Sequence, residues 1–76
     1  MEQIHIGQII KDKMREKRLS ARRLSEQLSC NRSKIYKLQD KPSIDTSELR
    51  RISILLKFDF FKVLSEKTFA NDSRLP

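Results

Sequence analysis

The chain has 76 residues, with 17 Lys/Arg against 10 Asp/Glu, one Cys, one Gly, two Pro and no Trp. A chain of this length supports one domain around one core. The lone cysteine excludes an internal disulfide, and the longest apolar run, Ile54-Leu55-Leu56, is far too short for a membrane span. Few Gly and Pro favour helices over a turn-rich β fold.

Charge is unevenly distributed. Residues 11–37 hold ten Lys/Arg against three acids (Asp12, Glu16, Glu26), which accounts for the whole net charge of +7. A basic half joined to a balanced half points to a polyanionic partner. The competing reading is a merely solvated surface.

Residues 1–5 are expected to be a flexible N-terminus. Ile6, Ile9, Ile10 and Met14 follow the helical period, which predicts a first helix over about 6–17. Its other face is Lys11, Lys13, Arg15, Lys17 and Arg18, relieved by Asp12 and Glu16. A membrane-surface helix would need bulky aromatics on the apolar face, and this one has none. No membrane partner is therefore expected.

Leu19 precedes Ser20, a good N-cap, and a second helix is expected over about 21–28 with Leu24 and Leu28 on one face. Arg22 and Arg23 stand in its first turn, where the helix dipole disfavours cations. A phosphate at that helix start would account for them. Ser29-Cys30-Asn31 reads as a turn; Ser29 in a left-handed conformation would cost about 1 kcal/mol relative to Gly. Cys30 is expected to act as a small buried hydrophobe. Asn31 caps a third helix over about 32–39, with Ile35 and Leu38 inward. Its outward face reads Arg32, Ser33, Tyr36, Lys37: all hydrogen-bond donors, none acidic.

Pro42 disfavours helix at Lys41, so 40–44 is a loop, with Ile44 at the core edge. Asp45-Thr46-Ser47-Glu48 has the form of a capping box. It opens a fourth helix over about 46–57, with Leu49, Ile52, Leu55 and Leu56 as its stripe. Asp59 caps a fifth over about 60–66, with Phe60, Val63 and Leu64 inward. The core is expected to comprise Ile6, Ile10, Leu19, Leu24, Leu28, Ile35, Leu38, Leu49, Ile52, Leu55, Leu56 and Leu64. Phe58, Phe61 and Phe69 exceed what so small a core needs. A twofold contact through them would make a homodimer; alternatively they finish the core. Residues 67–76 are expected to form a flexible tail.

Enzyme chemistry lacks its parts. One His (His5) and one Cys do not cluster into a metal site, no histidine base accompanies the serines, and no Gly-rich phosphate loop is present. No cofactor and no small-molecule ligand is expected. No leader-like segment is evident, so a reducing, cytoplasmic setting is expected.

The order Leu19-Ser20, Leu24, Leu28, Cys30-Asn31, Ile35, Leu38, then Leu49, Ile52-Ser53 and Leu55-Leu56 resembles the phage repressor/Cro-like helix-turn-helix (XRE) family over roughly residues 6–64. The resemblance implies an all-α, compact five-helix bundle, a lambda-repressor-like DNA-binding domain at 6–66 with its helix-turn-helix at about 20–39. It implies a regulator that binds double-stranded DNA, commonly as a twofold dimer. The chain departs from the pattern at Ala21, where Gln is usual, and at Ser29, where Gly is frequent. It also has Met14 and Gln39 at positions where many members pair Arg with Glu. Both charges are absent together, so neither is stranded.

Aligned without gaps, Arg32, Ser33 and Lys37 fall at base-contacting positions. Lys34 and Tyr36 flank them as phosphate contacts. Ser20, Arg22, Arg23, Asn31 and Lys41 complete the phosphate set. A protein-interaction or antitoxin-like module, keeping the fold without sequence readout, is the alternative function.

Overall fold

A computed structural model describes residues 4–70 of the chain. Among the described residues there are five helices and no strand. They are α1 (Ile6–Glu16), α2 (Ala21–Gln27), α3 (Arg32–Gln39), α4 (Thr46–Leu56) and α5 (Phe60–Ala70).

Each helix starts on a side-chain acceptor. Ser20 Oγ accepts from Arg23 N at 3.2 Å, Asn31 Oδ1 from Lys34 N at 3.1 Å, Asp45 Oδ1 from Glu48 N at 2.7 Å and Asp59 Oδ1 from Lys62 N at 3.0 Å. These bonds satisfy donors that a first helical turn leaves unpaired. His5 does the same for α1, accepting from Gln8 N through Nδ1 at 3.0 Å, so this residue of the expected loose end is engaged in a cap. The capping box is half formed: the Glu48 carboxylate turns away to Lys34 Nζ, 3.8 Å distant.

Three helices end on non-glycine residues with positive φ: Arg18 at 55°, Ser29 at 57° and Lys57 at 51°. The left-handed expectation for Ser29 holds. The one glycine serves a different need. Gly7 N donates to Lys41 O and Ile6 N to Pro42 O, both at 2.9 Å. The first turn of α1 thereby finds acceptors just beyond α3. A Cβ on Gly7 would lie 2.5 Å from the carbonyl oxygens of Leu38 and Gln39 and 2.6 Å from that of Lys41. Only a residue without a side chain permits this approach.

The buried core is Ile6, Ile10, Met14, Leu24, Leu28, Ile35, Leu38, Leu49, Ile52, Leu56 and Phe60. Leu19, Leu55 and Leu64, expected inside it, are partly buried against its edge, as are Ile44 and Cys30. On α4 the buried stripe runs 49, 52, 56, which leaves Leu55 at its margin. Phe60 fills the interior in place of Leu64 and meets the Phe58 ring edge-on, with centroids 4.9 Å apart. α3 packs against both α2 and α1. Arg51 Nη2 reaches Leu28 O at 3.5 Å, tying α4 to the end of α2. α5 runs on to Ala70, so residues 67–70 of the expected tail are helical; 71–76 and 1–3 lie outside the described residues.

Candidate nucleic-acid interface

α3 divides cleanly. Ile35 and Leu38 are buried, while Arg32, Ser33, Tyr36 and Lys37 are exposed. At about 100° per residue these four span an arc of roughly 140° opposite the buried pair. Tyr36, expected at the flank, falls between Arg32 and Ser33 in that arc and is 56% exposed. Lys34 lies toward the anchored side, consistent with its approach to Glu48 on α4.

The structure groups some of the expected contacts. Lys34, Lys37 and Lys41 line one depression of about 120 Å³, together with Leu38, Ile44, Asp45 and Glu48. Ser20 and Arg23 are joined by the α2 cap, and Asn31 and Lys34 by the α3 cap. As caps, the Ser20 and Asn31 oxygens accept, so the Ser20 hydroxyl proton and the Asn31 amide protons remain to donate outward. Arg22 and Arg23 are exposed, and Arg22 Nε sits 3.4 Å from Glu26 Oε1. Both side chains of that pair are largely solvated, so it holds Arg22 only weakly.

Lys13, on α1, is engaged within the chain. Lys13 Nζ is 2.9 Å from Glu16 Oε2 and 3.9 Å from the centre of the Phe58 ring. Its hydrogen bond, and then its charge, lower the Glu16 pKa below the ordinary carboxylate value. Arg15, Lys17, Arg18, Arg23, Arg32 and Lys37 take part in no ion pair among the described residues.

The three surplus aromatics separate. Phe58 is half-buried, engaged by Phe60 and Lys13. Phe61 and Phe69 are exposed, at 40% and 59%. Ile54, outside the stripe expected for α4, is 66% exposed.

Among the described residues no three His, Cys, Asp or Glu side chains gather as metal ligands, and no helix is long and apolar enough to cross a membrane. Compared with protein-family models, curated proteins and solved structures, the chain matches none.

Proposed function

We propose that the chain binds double-stranded DNA and regulates transcription, with α2 and α3 acting as a helix-turn-helix and the outward face of α3 in the major groove. The observation that carries this reading is that face: four exposed donors and no acid, on a helix fixed from behind by Ile35 at 0% and Leu38 at 4% exposure. A rigid helix can present side chains in register with base edges. Arginine and lysine match the paired acceptors of guanine, O6 and N7.

The contact between Gln39 Nε2 and Met14 Sδ, at 3.5 Å, adds support from the resemblance. The two positions where the family pairs opposite charges touch here through neutral side chains. In this reading Arg32, Ser33 and Lys37 face bases, joined by Tyr36. Ser20, Asn31, Arg22, Arg23, Lys34 and Lys41 hold phosphates, which fix register and dominate salt dependence. A cytoplasmic setting belongs to this reading.

A protein-interaction or antitoxin-like module is the second reading. It is favoured by Ala21, half-buried against the core where a polar readout residue is usual, and by the engagement of Arg22 and Lys34 with acids.

Selection from a random duplex library separates the two. The DNA reading expects a preferred site with at least one G·C pair read by Arg32. Arg32→Ala should then lose about 1–3 kcal/mol on that site and relax the preference there. Recovery of no preferred sequence, or equal weakening on all sequences, would favour the interaction module.

A further inference from the structure

The outward face of α3 has a middle and two margins. At about 100° per residue, Arg32 and Lys37 stand at the margins, with Tyr36 and Ser33 between them. Serine is short, so the Tyr36 ring is the long side chain of the middle. It is 56% exposed, and it is the one aromatic on a face otherwise polar. The gap-free alignment makes Tyr36 a phosphate contact beside Lys34. Yet the two lie roughly 160° apart around the helix. A phosphate track on the anchored side serves Lys34, which approaches Glu48 there, and leaves Tyr36 over the groove. A tyrosine has two side-chain torsions to fix, so ordering it on a partner costs less than ordering a lysine.

We infer that Tyr36 is a specificity-determining residue whose ring selects thymine through the C5-methyl group. The inference rests on the DNA-binding reading and names a base which that reading leaves open. The floor of the major groove presents hydrogen-bond donors and acceptors at every base pair, and one apolar group, the thymine methyl. A ring laid on a donor or acceptor strips it of water without replacing the hydrogen bond, which costs free energy. Laid on the methyl, the same ring removes apolar surface from water on both sides. The phenol hydroxyl both donates and accepts, so it tolerates either kind of polar group beside the methyl. Tyr36 stands four residues after Arg32. That is about 6 Å along the helix axis, against about 3.4 Å between stacked bases, which places the thymine within about two base pairs of the guanine that Arg32 reads.

Fluorescence anisotropy of the full chain on the duplex recovered by selection tests this, each thymine in turn being replaced by deoxyuridine, which lacks only the methyl. At one thymine near the guanine, wild type should bind the deoxyuridine duplex about fourfold more weakly, the worth of one buried methyl group. Tyr36→Phe should keep that difference, because the ring is retained. Tyr36→Ala should bind the thymine and deoxyuridine duplexes alike. A tyrosine that only supported the helix would, when truncated, weaken both duplexes and preserve their ratio. Truncation at this exposed site leaves the fold intact, which circular dichroism checks. A selected site with no thymine within that distance overturns the inference and leaves the DNA-binding reading standing. So does a wild type indifferent to deoxyuridine there, a penalty that Tyr36→Ala retains in full, or one that Tyr36→Phe abolishes. A wild type with no preferred sequence overturns both.

Discussion

The outer faces of α3 and α4 belong to helices anchored in the same way, yet they differ in kind. Each helix buries an isoleucine completely, Ile35 and Ile52 at 0% exposure. Outward, α3 shows Arg32, Ser33, Tyr36 and Lys37, whereas α4 shows Arg50 and Ile54. The buried sides determine the fold and say nothing of partners. The exposed sides differ in chemistry, one suited to a polyanion and the other to an apolar, mixed-charge surface. The choice of partner is therefore read from what the helices leave outside.

The comparison depends on the anchoring, and the largest effect should come from removing it. Gly7→Ala thrusts a methyl group at three backbone carbonyls at 2.5–2.6 Å, where no flexible side chain can yield. It should cost at least the roughly 3 kcal/mol at the upper end of ordinary overpacking, enough to unfold a marginal domain. Thermal denaturation followed by circular dichroism checks it; an unchanged melting temperature would mean that α1 does not seat against the end of α3.

The sharpest contrast lies within α4. Ile52→Ala should cost about 2–5 kcal/mol by opening a cavity. Ile54→Ala, the same truncation two residues along, should fall within about 0.5 kcal/mol. Urea denaturation of both variants reads the difference, and equal costs would place Ile54 inside the core.

A smaller effect of opposite sign is expected at the turn before α3. Ser29 is left-handed at φ 57°, and Ser29→Gly should stabilise the fold by about 1 kcal/mol while leaving the outward face of α3 intact. A destabilised variant would show that Ser29 contributes more than its backbone conformation.

Much of this arrangement was legible in the sequence because its signals are local. Ser20, Asn31, Asp45 and Asp59 precede apolar periodic runs, and all four cap helices. The two faces of α3 follow from Ile35 and Leu38 alone. What escaped was tertiary. No local pattern shows that three carbonyls crowd Gly7, nor that His5 caps α1. Nothing after Leu64 signals a helix end, and α5 continues to Ala70. Phe58 resembled a surplus aromatic because its partners, Phe60 and Lys13, come from the next helix and from the distant α1. Met14 was aligned with the α1 stripe, but its full burial depended on α3 packing against α1.

The claim that a polyanion binds the α3 side is tested most directly by titrating salt against binding to random-sequence duplex DNA. Wild type should bind with log K falling linearly in log salt concentration. Replacing Arg22, Arg23, Lys34 and Lys41 together with Ala should flatten that slope by about 0.9 for each phosphate no longer neutralised. Absence of binding at low salt, or a slope the fourfold variant leaves unchanged, would contradict the account.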